Sequence, residues 1–196
     1  MLSRFRWYAL TIIVTISAVS FTLIYSQNQD RDRAGPVFQG KETLLRPVGY
    51  REWVFVGSSL GLRYAPDPEA ASKRPELYHN VYINPRSYRE FVKTGKFPDG
   101  TMMVLELAGK ESKHEPGLQG SFQKEYVALE ASVKDSKRFP TGWAYFSFDS
   151  SDGKQKASAE PFSAEECFSC HDKKAATDHV FTQFYPVLRA ARPAQP

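Results

Sequence analysis

Residues 122–133, FQKEYVALEASV, alternate with a period of two: Val127, Leu129, Ala131 and Val133 fall on one face of a strand, Tyr126, Ala128, Glu130 and Ser132 on the other. The same reasoning predicts strands over TMMVLELAG (101–109), WAYFSF (143–148) and HNVYIN (79–84). Helical spacing appears once with clear ends, in NPRSYREFVKTG: Asn84 is the N-cap, Pro85 takes the first helical position, Tyr88, Phe91 and Val92 share a face, and Gly95 closes the helix. Strand, helix, then several strands is the order of an α+β fold, a mainly antiparallel β-sheet with a few short helices. Period two also puts Met102 and Met103 on opposite faces of their strand.

The N-terminus breaks this pattern. Arg4 and Arg6 precede an apolar run from Tyr8 to Tyr25, interrupted only by Thr and Ser, and no charge returns until Asp30. A positive flank, an apolar centre of minimal spanning length and a polar exit mark a signal peptide or an uncleaved signal anchor, which carries the rest of the chain across a membrane. The expected organisation is therefore a leader over 1–28, a charged, Gly- and Pro-bearing linker over 29–47, and one domain over 48–193. Of the net charge of +4, Arg4 and Arg6 supply two, so the exported part is nearly neutral. With no basic stripe interleaved with aromatics, no nucleic-acid partner is expected.

The only two cysteines of the chain stand in ECFSCHDKK, 166–174. A disulfide between Cys167 and Cys170 would close too short a loop to stabilise much. A thioredoxin-like pair wants a strand–helix junction in a βαβ unit, which the surrounding sequence does not offer. Zinc would need ligands beyond His171. C-x-x-C-H is also the attachment signature of c-type haem, in which two thiols form thioethers and the adjacent imidazole, here His171, is the axial iron ligand. This last reading is the most specific, and the export pattern agrees with it, because such haem is attached outside the cytoplasm. Ser163 and Glu166 form a capping box for a helix carrying both cysteines.

Taken together, YREWVFVGSSL, VYINPRSYREFVKTGKFPDGT, YVALEASVKDSKRF and ECFSCHDKKAATDHVFTQFYPVLRAA resemble the cytochrome P-460 family, which includes cytochrome c′-beta; the likeness runs from about Tyr50 to Ala191. The resemblance implies a mainly antiparallel sheet, a homodimer, one covalent haem c per chain and an iron open on its distal side; the export pattern puts the domain in the periplasm. It also implies two alternative activities: oxidation of hydroxylamine by an enzyme, or binding of nitric oxide.

What separates them in the family is a lysine bonded to the haem ring. Aligning on FPDGT, 97–101, puts Leu105 at that position, and leucine cannot form the bond. Lys96 and Lys110 are the nearest alternatives, at or beyond the ends of the strand. The family's distal carboxylate is matched by Glu130, a base that can move protons at an iron-bound substrate. Tyr78, and more weakly Phe97, match the aromatic wall of the distal pocket. His79, His114, His179 and one of Met102 and Met103 are the candidate sixth ligands that an electron-transfer cytochrome would need. The expectation is thus a haem protein that binds or redox-converts a small nitrogen-containing ligand, nitric oxide before hydroxylamine, with its redox partner protein undetermined.

Overall fold

A computed structural model describes residues 34–62, 69 and 74–191. The leader expected over 1–28 lies outside the described residues. Eight strands form two antiparallel sheets: β1 (Phe38–Gln39), β2 (Thr43–Leu45), β3 (Val54–Leu60), β4 (Leu77–Ile83), β5 (Met102–Glu115), β6 (Leu118–Lys134), β7 (Trp143–Ser147) and β8 (Ser158–Ala159). The larger sheet has the order β3-β4-β5-β6-β7, each strand beside its neighbour in sequence. The smaller has the order β1-β2-β8. Among the described residues the sheets are accompanied by the α-helices α1 (Pro85–Thr94), α2 (Ser169–Lys174) and α3 (Pro186–Ala190). The architecture is α+β and mainly antiparallel, as the alternating patterns require.

Both faces of the large sheet are covered. Met102, Val104, Leu129, Ala131, Val133 and Phe146 point to one face, where Leu44 and Phe139 join them in a first core. Met103, Val81, Ile83, Trp143 and Tyr145 point to the other, against Phe91 of α1 and Leu188 of α3, in a second core. Met102 and Met103 do separate across the sheet, as period two demands. α3 lies against β3 at Gly57, where an added Cβ would stand 3.0 Å from the Pro186 ring. Glycine permits that approach.

Four details differ from the sequence expectation. The stretch 29–47 was expected to be a linker, yet it supplies β1 and β2, and Leu44 is fully buried. Asn84 does not cap α1 with its side chain. It accepts the Met102 N–H at 2.9 Å and donates to the Gly100 carbonyl at 3.2 Å, fastening the start of β5 beside the helix. Next, β5 and β6 run far beyond the predicted strands, pairing from Met102↔Val133 out to Glu115↔Leu118 as a two-stranded arm. His114, a candidate sixth ligand by sequence, is in this arm, which turns over Pro116 and Gly117, the latter at φ 79°. Finally, a bulge between Leu107↔Ala128 and Ala108↔Tyr126 leaves Val127 as an extra residue. Beyond it the alternation slips, so Tyr126 does not share the face of Glu130 but lies over the Arg51 guanidinium at 4.4 Å.

Candidate functional site

The C-x-x-C-H segment enters through a widened turn. Residues Ala164–Phe168 form one π-helical turn and Ser169–Lys174 continue it as α2. The capping box is present: the Glu166 carboxylate accepts the Ser163 N–H at 3.0 Å. Wide turns of this kind recur at functional sites, since they re-aim side chains along a helix. Here they bring Cys167, Cys170 and His171 into one cleft, partly open to solvent.

The cleft floor is the second face of the large sheet, and strand register orders it. One row across the sheet reads Val81, Leu105, Glu130 and Ser147; the next reads Ile83, Met103, Ser132 and Tyr145. Leu105 and Glu130 are thus directly opposed neighbours, and both line the cleft with Met103, Phe181 and Tyr185. Tyr78 belongs elsewhere. It alternates with Val81 on β4, pairs with Ala108, and stands on the sheet face away from the cleft, which corrects its expected place in the distal pocket. Phe97 is also removed from the cleft. It stacks on Phe91 with centroids 4.4 Å apart and serves as core.

His171 packs between Tyr145 and Phe181, with ring centroids at 4.3 and 4.5 Å. Its Nδ1 lies 2.8 Å from the His179 carbonyl oxygen. A carbonyl only accepts, so Nδ1 carries the hydrogen and Nε2 the lone pair. Burial pushes the His171 pKa down, which keeps the ring neutral, the form a metal requires. His179, a candidate sixth ligand by sequence, therefore acts through its backbone on the His171 side. His79 is on the cleft-side face of β4 but does not line the cleft, and its pKa too is lowered by burial.

Cys167 and Cys170 are free thiols. Burial, with Glu130 and Glu166 nearby, pushes Cys167 up to about 11. That is the opposite of the lowered thiol a dithiol oxidoreductase needs. Among the described residues no group of three or more His, Cys, Asp or Glu is placed to hold a metal ion. The set fits haem instead: two thiols and a neutral imidazole from one segment face an apolar cleft. The Tyr145 hydroxyl, on a residue 7 % exposed, lines the same cleft with no hydrogen-bond partner among the described residues. Buried donors of this kind are rare unless something else in the site accepts from them.

Burial first and Asp149 second raise the pKa of Glu130. Charging this carboxylate is therefore costlier in the fold than in the unfolded chain, so its share of stability is full in acid and is lost as pH rises. Glu130→Gln is expected to stabilise the haem-loaded protein by about 1 kcal/mol at pH 7. The gain should fade as pH falls from the raised folded value toward about 4.3, the ordinary glutamate value, below which it is absent. Thermal melts from pH 4 to 8 test this; a gain independent of pH would mean that Glu130 is solvated.

An antiparallel sheet with a mainly apolar cleft fed by one C-x-x-C-H segment is the arrangement of a cofactor-binding α+β protein. A family model, Cytochrome P460, matches residues 47–182, and the chain belongs to that family, which implies a haem cofactor. No curated protein matches the chain.

Proposed function

We propose that this chain is a periplasmic mono-haem c protein, secreted or held at the inner membrane by its leader, that binds a small nitrogen oxide, foremost nitric oxide. Cys167 and Cys170 would hold the haem through their thiols, His171 would ligate its iron, and the rest of the cleft would receive the small ligand. The haem iron supplies the site where a diatomic binds and where electrons enter or leave. The observation that carries this reading is the row Val81, Leu105, Glu130: two aliphatic side chains beside one buried carboxylate, with leucine at the position that the family resemblance gives to a ring-bonded lysine.

Glu130 supports a second reading, hydroxylamine oxidation. A carboxylate raised by burial and opposed to Leu105 can accept a proton from a substrate in the cleft. The exposed Leu118, Phe122 and Val127 of the arm support a second copy of the chain as the partner covering them.

Absorption spectra of the purified protein, ferric and ferrous, before and after each ligand, separate the alternatives. An ordinary high-spin haem c spectrum that responds to nitric oxide and not to hydroxylamine is expected. A strongly red-shifted ferrous Soret band with hydroxylamine turnover would favour the enzyme. A low-spin spectrum indifferent to both would mean an electron carrier with a side chain, Met103 first, on the iron.

A further inference from the structure

Just after α2 the chain reverses within four residues. Thr177 and Val180 pair as an antiparallel bridge, the Val180 N–H donating to the Thr177 carbonyl at 2.8 Å. The two residues between them, Asp178 and His179, have φ of 45° and 60°. Positive φ at both central positions is the type I′ arrangement, which Asn-Gly or Gly-Gly ordinarily supplies. Neither residue here is glycine, so each carries the steric penalty of a Cβ in the left-handed region. Such a conformation persists where its surroundings over-determine it.

The surroundings in question are two side chains from the sheet. Lys134 of β6 and Trp143 of β7 are direct cross-strand partners. Lys134 Nζ donates to Asp178 Oδ2 at 2.6 Å, and Trp143 Nε1–H to Asp178 Oδ1 at 3.1 Å. Lys134 is itself fixed by the Phe97 carbonyl at 2.9 Å. The product of this clamp is the next carbonyl along the turn, that of His179, which accepts the His171 Nδ1–H.

We propose that Asp178, clamped by Lys134 and Trp143, is the positioning residue of the axial imidazole and sets the reduction potential of the haem. The proposal rests on His171 being that ligand. A well-aligned Nδ1–H···O=C bond fixes the ring and makes it a stronger electron donor, which favours ferric iron. Loosening the turn weakens the bond and raises the potential.

The test is redox titration of the haem-loaded protein, with resonance Raman measurement of the ferrous iron–histidine stretch. Asp178→Ala is expected to shift the ferric/ferrous ratio about tenfold toward ferrous, ~59 mV for a one-electron couple, and to lower the stretch. Charge alone and the clamp predict different outcomes for the other two variants. Losing the lysine cation in Lys134→Met would by itself lower the potential, and Trp143→Phe, which changes no charge, would leave it unmoved. The clamp raises the potential in both. A fall in Lys134→Met with no change in Trp143→Phe, and an unmoved stretch, overturns the proposal. Covalent haem content is measured throughout: wild-type protein without it overturns the haem reading as well, whereas full haem with unmoved potentials overturns the clamp alone.

Discussion

The Cys167→Ala, Cys170→Ala double variant is expected to fold and to carry no covalent haem. Both thiols are only partly buried, and each side chain hands over a single sulfur, so truncation leaves little cavity. The loss should therefore appear in the cofactor and hardly in the apoprotein. Mass spectrometry of the denatured chain reads the adduct, and circular dichroism reads the sheet. Either single variant keeps one thioether and so part of the adduct. His171→Ala separates attachment from ligation: the adduct remains and the iron loses its axial nitrogen, which changes the spectrum without changing the mass. A wild-type chain that instead binds zinc stoichiometrically, or joins its cysteines in a disulfide, would sink the haem reading.

The elements legible in the sequence were those whose signals are local. α1 has its proline and glycine ends, β4 and β7 are short apolar runs, and the C-x-x-C-H chemistry needs only five neighbours. The arm of β5 and β6 beyond Lys110 was not legible, because strands exposed on both faces have no alternation to display. The signal that marks its end, Pro116-Gly117, was present. β1, β2 and β8 are two or three residues long, and β2 and β8 exist through pairing across more than a hundred residues. Tyr126 was assigned to the wrong face because one bulge residue inverts all that follows. Tyr78 was assigned by resemblance to the cleft, whereas the face of β4 is fixed by its partners on β5. The Asp178–His179 turn escaped because its dipeptide lacks glycine, and its support comes from Lys134 and Trp143, far off in the chain.

Glu106 is the residue whose importance to stability only the structure reveals. In TMMVLELAG it looks like a polar position on a half-exposed strand, yet it is 2 % exposed, on the sheet face opposite the cleft. A buried carboxylate is tolerable only when paired and hydrogen-bonded. The 3₁₀ turn Tyr50–Glu52 delivers both partners. The Tyr50 hydroxyl donates to Glu106 Oε2, and the Arg51 guanidinium reaches the same oxygen at 2.5 Å from between the Tyr50 and Tyr126 rings. Glu106→Ala removes the acceptor from both and leaves a buried hydroxyl, at an expected cost of about 3 kcal/mol. For a domain of this size that is a fall of roughly 6–12 °C in melting temperature. Glu106→Gln keeps an acceptor for Tyr50 and should cost about 1 kcal/mol. The same cluster sets an alkaline limit. Burial first, then Glu106, pushes the Tyr50 pKa up, so the neutral hydroxyl is the form the fold holds. A raised folded value means that stability is whole below the ordinary tyrosine pKa of about 10 and declines above it. Tyr50→Phe should lower stability at pH 7, and the deficit should shrink above pH 10, where the wild type alone has this tyrosine to ionise on unfolding. A Glu106→Ala variant melting within a degree of wild type, with unaltered alkaline behaviour in Tyr50→Phe, would mean that water reaches the carboxylate and that the turn at Tyr50 is held by packing alone.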